Sequence, residues 1–202
     1  KKKKSIKKLY NQPLRPTKLK INVVEFCNEV QQYKTCFQKW GDKKDKGQRW
    51  GLPLVNETGV LDEPDDTIQP LDELFLEKGK LLMDVELREK TVACMMESLQ
   101  PLHCLYPYLV RSAVLKWHWG AGFARHRDIE LPANHFRLWA TMSDNMTLKI
   151  DDKEIRDIEP GKVYLIDVSK FHEGWSKQNH LYQLFLGVNL DAYDTLESIC
   201  YD

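Results

Sequence analysis

The sequence predicts one domain in which helices pack against a small antiparallel β-sandwich or barrel. Three observations carry this expectation. Short runs rich in apolar, β-branched and aromatic residues crowd the second half of the chain. Turn signals separate those runs at close intervals, and apolar residues at helical spacing are confined to the first half. With 202 residues, 42% hydrophobic and 30% charged, the chain can bury a full core and is not a disordered polymer.

Residues 1–20 read as a basic arm, with Lys1–Lys4, Lys7, Lys8, Arg15, Lys18 and Lys20, expected to be a solvated leader before the folded domain at 21–202. Asn22 can cap a helix whose apolar positions Val23, Phe26, Val30, Tyr33 and Phe37 keep helical spacing, ending before Gly41. The polar stretch 41–48 reads as a loop, Arg49–Val55 as a strand, and 59–70 as an acidic, proline-containing connection. A second helix is expected over about 85–99, with Leu87, Val92, Met95, Met96 and Leu99 inward. Helical support thus spans about 21–110 and a β core about 111–190.

The β half begins with Ser112–Trp119, which runs into Gly120-Ala121-Gly122. His135–Met142 is the next strand. Thr147–Ile150 and Lys153–Ile158 flank Asp151-Asp152, a hairpin turn signal. Pro160-Gly161 turns the chain into Val163–Val168, and Leu181–Val188 is the last clear strand.

Thirty basic residues balance thirty acidic ones, so bulk charge does not select nucleic acid or membrane as partner. No apolar run approaches a membrane span and the lysine-rich start leads into no secretory core. Five scattered cysteines without CxxC spacing argue against a zinc ribbon and a disulfide scaffold, and read as free thiols of a cytoplasmic protein.

The chemistry is concentrated in the β half. His126 and Asp128 follow a strand and a Gly-rich turn, and His172 follows the apolar strand Val163–Val168. Residues two apart on an extended segment point the same way, so His126 and Asp128 can share one metal ion, with His172 supplied by a distant strand. Two imidazoles and a carboxylate on one face of an iron leave three adjacent positions free for a bidentate 2-oxo acid and dioxygen. A lone His-x-Asp is a weak signal, and a histidine in a β protein is more often structural. The succession of strand, Gly-rich turn, His-x-Asp, strands, Pro-Gly turn, apolar strand and His raises it.

On these residues the segment 115–188 resembles the catalytic core of 2-oxoglutarate-dependent oxygenases, in particular the aspartyl/asparaginyl β-hydroxylase-like group and its proline-hydroxylase relatives. The matching stretches are Gly120–Asp128, Phe136–Trp139, Glu159–Asp167 and Phe171–Trp175. The resemblance implies a mainly β double-stranded β-helix (a cupin-like jelly roll) with N-terminal helices. It also implies Fe(II), 2-oxoglutarate and dioxygen as cofactor and co-substrates, and hydroxylation of an amino acid or peptide side chain. Such proteins also occur in viruses, where the compartment would be the host cytoplasm.

The resemblance departs at one place. An Arg is expected about ten residues after the distal His to hold the C5 carboxylate of 2-oxoglutarate, and Tyr182 stands there with His180 just before it. A His expected two residues after Arg137 is Trp139. A buried carboxylate needs a cation or several donors, which makes Arg137 the expected anchor, with Tyr182 and His180 as supporting donors. An inter-strand ion pair is the plainer use of Arg137. Trp117, Trp119, Trp139 and Trp175 are expected either to wall the site or to fill the core, and His118 and His135 to be structural. Two other functions stay open: a non-catalytic cupin-like binding module, favoured by the missing Arg, and a nucleobase-oxidising oxygenase, suggested by His126-Arg127-Asp128-Ile129 and the lysine arm.

Overall fold

The computed structural model describes residues 6–40, 49–61, 84–128 and 134–201. The first strand, β1 (Leu14–Lys20), is followed by helix α1 (Val23–Glu29), β2 (Gln38–Trp40), β3 (Arg49–Asn56) and the short β4 (Glu89–Lys90). Then come β5 (Leu109–Trp117), β6 (Gly122–His126), β7 (His135–Thr141), β8 (Met146–Ile150), β9 (Lys153–Glu154), β10 (Lys162–Ile166), β11 (His172–Ser176) and β12 (Leu181–Asn189). Helix α2 (Tyr193–Ile199) closes the chain.

Two antiparallel sheets result, one in the order β1-β10-β7-β12-β5-β3-β2 with β4 beside β3, the other in the order β6-β11-β8-β9. From β5 onward the chain passes back and forth between them. β5, β7, β10 and β12 lie in the larger sheet and β6, β8, β9 and β11 in the smaller. That alternation is a double-stranded β-helix, the jelly roll expected.

The larger sheet is apolar on both faces, which is why its strands read as continuous hydrophobic runs. On the inner face Leu115, Trp117, Trp139 and Ile166 meet Leu148 and Ile150 of the smaller sheet. On the outer face Leu52, Leu138, Leu184 and Leu186 pack against Phe26, Val30, Leu99 and Leu196. Phe26 is fully buried, a contribution of about 2–3 kcal/mol for a side chain of its size.

The first half differs from expectation in three ways. Residues 14–20, assigned to the basic arm, form β1 and pair with β10, Leu14 opposite Ile166 and Lys20 opposite Lys162. Thr17 Oγ1 donates to the Val163 carbonyl at 2.7 Å, and Ile21 N to the Gly161 carbonyl at 2.8 Å. β1 is an edge strand, where Pro16 and charged side chains are tolerated. Gly161 has φ +79°, and a Cβ there would stand 2.2 Å from the Ile21 carbonyl oxygen, so this turn requires glycine.

The helix capped by Asn22, whose Oδ1 accepts from Glu25 N at 3.1 Å, ends at Glu29 rather than near Phe37. The chain tightens there into a 3₁₀ turn, Val30–Tyr33, ahead of the poor helix formers Thr35 and Cys36. Over 85–99 there is no α-helix. Glu89–Lys90 pairs with β3 in the middle of the expected helix, and Thr91 is tied to the Leu54 and Pro53 carbonyls, so only 3₁₀ segments, Val92–Met95 and Glu97–Tyr108, follow. Leu87, Met96 and Leu99 are buried as expected, whereas Val92 and Met95 face solvent.

In the β half, Asp151 and Asp152 have φ of 47° and 63° and close the β8–β9 hairpin as read. Expected strand 153–158 is ordered as a strand only over Lys153–Glu154. Lys1–Lys4, the loop at 41–48 and most of the connection at 59–70 lie outside the described residues. Among the described residues no helix is long and apolar enough to cross a membrane.

Candidate metal centre

His126 is the last residue of β6 and His172 the first of β11, and the register of this pair sets them opposite each other. Their ring centroids are 4.5 Å apart. Asp128 lies just beyond β6, where its N–H donates to the Val168 carbonyl at 3.0 Å and pins the segment against the end of β10. Oδ1 of Asp128 is 2.7 Å from His126 Nε2, and Oδ2 is 3.7 Å from His172 Nε2. One ligand atom from each of the three residues falls within 4.8 Å of the others. Metal–ligand bonds of about 2.0–2.2 Å put neighbouring ligand atoms roughly 3 Å apart, so small side-chain adjustments suffice.

Both imidazoles are aimed by the same local device. Nδ1 of His126 is 2.7 Å from the Ala124 carbonyl, and Nδ1 of His172 is 2.8 Å from the Lys170 carbonyl. A carbonyl only accepts, so each Nδ1 carries the proton and each Nε2 turns to the shared point. His172 is buried, while the His126 and Asp128 side chains keep 44% and 31% of their surface, so the group opens to solvent on one side.

The electrostatics favour a bound cation. Burial alone would raise the Asp128 carboxyl. The hydrogen bond from His126 and the charges of Arg137 and the two imidazoles reverse this and hold it well below the usual carboxylate range. Burial lowers His172, only partly offset by Asp128 and the Lys170 carbonyl. His126 is raised by its hydrogen bond to Asp128, so a proton and a metal ion compete for that pair of atoms.

Behind the triad stands Phe123, a residue the sequence reading did not single out. Its ring is 5.4 Å from His126, 5.6 Å from His172, 5.7 Å from Trp117 and 6.1 Å from Trp139. Trp117 and Trp139 therefore line the interior near the site. Trp119 and Trp175 are exposed and do not.

The expected co-substrate residues separate. Arg137 is buried on the inner face of β7, its Cζ 3.6 Å from the Phe185 ring centroid and its Nη2 3.1 Å from His135 Nε2. Trp139, two residues on, shares that face. Tyr182 does not. It packs on the outer layer, its ring 6.4 Å from Phe26 and 6.1 Å from Phe37, and its hydroxyl accepts from Gln31 Nε2 at 3.1 Å. Leu181 and Phe185 point inward, and strand alternation sends Tyr182 the other way. His180 sits in the exposed turn before β12 with φ 56°, its ring against His118 at 5.6 Å. The structure thus brings neither of them together with Arg137.

Arg49 was also missed. It is buried, with Cζ 5.6 Å from the Trp117 and Phe123 ring centroids, and its charge acts to lower His126. The signal was the period of two in Arg49, Gly51 and Pro53, whose inward face only sheet pairing reveals. At the rim, Arg125 binds Asp152 through Nε–Oδ1 at 2.8 Å, and Arg125 and Arg127 lie over Phe171.

No family model matches the chain, and no curated protein matches its sequence. Solved structures of similar fold include a prolyl-4-hydroxylase from Pseudomonas putida, with TM-score 0.47 and 9% identity, covering 91% of this chain and 96% of that one. Another is an oxidoreductase of the 2OG-Fe(II) oxygenase family from Burkholderia pseudomallei, with TM-score 0.39 and 11% identity over 80% of this chain and 79% of that one. The Schizosaccharomyces pombe Cnp3 cupin domain has TM-score 0.33 and 8% identity over 46% and 64%. Oxygenases and cupins are thus both represented, at low identity. What the site does is argued from its own residues.

Proposed function

We propose that the chain is an Fe(II)- and 2-oxoglutarate-dependent dioxygenase hydroxylating an amino acid or a peptide side chain. One observation carries the reading: His126, Asp128 and His172 bring two imidazole nitrogens and a carboxylate oxygen within 4.8 Å of one another, with each imidazole oriented by a main-chain carbonyl. The donor set, two nitrogens and one oxygen on one side, suits ferrous iron and leaves room for further ligands. When bound, iron supplies the oxidation, coupling dioxygen and decarboxylation of 2-oxoglutarate to attack on a C–H bond.

The chain's own residues have separate tasks in this reading. Asp128 stays ionised and His172 neutral, both ready to ligate, while His126 must release its proton. Arg137, whose charge already acts on Asp128, supplies a fixed, buried positive charge for the carboxylate beside the keto group of the 2-oxo acid, rather than for the C5 carboxylate expected of it, and is held over Phe185 so that little ordering is needed on binding. Phe123, Trp117 and Trp139 exclude water from the inner side.

The test is release of succinate from 2-oxoglutarate by protein loaded with Fe(II) without oxygen and then exposed to it. Succinate that depends on both iron and dioxygen is expected. Protein that binds one equivalent of iron yet yields none over many hours would return the chain to the class of cupin-like binding modules.

A further inference from the structure

We infer that Gln183, together with the indole of Trp117, is the seat for the far end of the 2-oxo acid, and that this seat reads hydrogen bonds rather than a fixed charge. The inference rests on the proposed iron and 2-oxo acid site. Gln183 lies on β12 between the inward residues Leu181 and Phe185, opposite Leu115 on β5 and Thr141 on β7. It is 1% exposed, and among the described residues neither its Nε2 nor its Oε1 has a hydrogen-bond partner. Trp117 is fully buried on the same face, diagonal to Gln183 in the register, and its Nε1 likewise has no partner. Three polar atoms without partners in an apolar interior are costly unless something else engages them.

Their place in the fold says what that is. The Phe123 ring stands against both metal-site imidazoles and against Trp117, so the indole lies one aromatic ring away from the triad, with Gln183 diagonal to it on the neighbouring strand. Thr141 cannot satisfy the amide oxygen, because its hydroxyl proton is given to the Ser143 carbonyl at 2.8 Å. Gln183 also stands one residue after Tyr182, the position where a charged anchor was expected. Alternation along β12 turns Gln183 inward in its place. A planar tail with acceptor oxygens, a carboxylate or a carboxamide, meets the two donors. The amide lacks the charge that would make a carboxylate strongly preferred.

Binding to the Mn(II)-loaded full chain tests this by calorimetry and melting temperature, with no turnover required. The probes are 2-oxoglutarate, its C5 carboxamide 2-oxoglutaramate, and 5-methyl-2-oxohexanoate, whose apolar tail has the same shape. The first two should bind within about threefold of each other and the third about tenfold more weakly, the loss expected for one or two hydrogen bonds. Gln183→Leu and the volume-conserving Gln183→Met should keep Mn(II) binding, melt higher than wild type without ligand, and bind all three probes within about threefold. If wild type binds Mn(II) but none of the probes, the iron and 2-oxo acid reading falls, and this inference with it. Wild-type discrimination retained in both Gln183 variants overturns this inference alone. Binding of 2-oxoglutarate with rejection of the carboxamide also overturns it, and hands the tail to a cation such as Arg49.

Discussion

His126 and His172 face each other across the β6–β11 pair, and each ties its Nδ1 to the carbonyl two residues before it, Ala124 and Lys170. The orientation of both imidazoles is therefore written into local backbone geometry on two strands whose register is fixed by the smaller sheet. A metal ion arriving at the site finds its two nitrogen ligands already aimed, with Asp128 between them.

Metal binding follows directly. Iron or manganese should bind at about one equivalent, and His126→Ala or His172→Ala should weaken it at least about 100-fold, since even loss of an orienting partner costs 10–100-fold. Titration followed by calorimetry measures this. Unchanged affinity in both variants would mean that the metal, if any, sits elsewhere.

The two faces of the larger sheet give the second expectation. Arg137→Ala should weaken 2-oxoglutarate binding about 10- to 100-fold, the range for a charge-assisted pair. Tyr182→Phe should leave binding unchanged, because its hydroxyl bonds Gln31 on the outer layer. A larger effect at Tyr182 in the same calorimetric experiment would contradict the assignment of Arg137.

How much of this was legible beforehand depends on whether the signal was local. The His126-x-Asp128 pair, the Asp151-Asp152 hairpin and the apolar strands β7, β10 and β12 are each readable within a few residues of sequence, whereas joining His172 to the pair needs the whole succession of strands between them. The face on which each residue of β12 lands is not local. Tyr182 and Gln183 exchange roles on a shift of one, and only pairing with β5 and β7 decides it. β1 was hidden because an edge strand needs no continuous apolar face, and Arg15, Lys18 and Lys20 outweighed Leu14 and Thr17. The helix expected over 85–99 rested on apolar spacing, and the pairing of Glu89–Lys90 with β3 that interrupts it is a non-local contact which the spacing does not show.

The basic arm now divides at Leu9. Deleting residues 1–8 should leave metal binding and melting temperature close to those of the full chain, since among the described residues the fully buried side chains begin with Leu9 and Ile6 is only partly buried against the core. Deleting residues 1–20 should not. It removes β1, and with it Arg15, which donates Nη1 to the Leu9 carbonyl at 2.7 Å and Nη2 to the Tyr201 carbonyl at 2.8 Å. Loss of a paired edge strand and several buried residues exceeds the roughly 5–15 kcal/mol by which domains of this kind are stable, so insoluble or unfolded protein is expected. A full-length-like melting curve for the longer deletion would show that β1 is dispensable to the fold.

The substrate class is the furthest reach of the reading. The rim beside His172 carries Phe171 with Arg125 and Arg127 over its ring, at 4.0 and 5.4 Å from Cζ to centroid, and Arg125 is already engaged by Asp152. Such a rim offers an aromatic face and a guanidinium able to meet a carboxylate in bidentate fashion, which suits a zwitterion or the polar groups of a peptide. The chain as a whole has no net charge, so its bulk charge gives no attraction to a phosphate backbone, and the nucleobase reading leans on the lysine-rich arm. A panel of free amino acids and short peptides should therefore include at least one compound that raises succinate formation above the rate without it. Arg127→Ala should raise its apparent KM more than it lowers kcat, the signature of lost ground-state binding. Single- and double-stranded DNA should leave the succinate rate at its uncoupled level. Oxidised bases appearing in DNA, with no response across the amino-acid and peptide panel, would replace this reading with nucleobase oxidation.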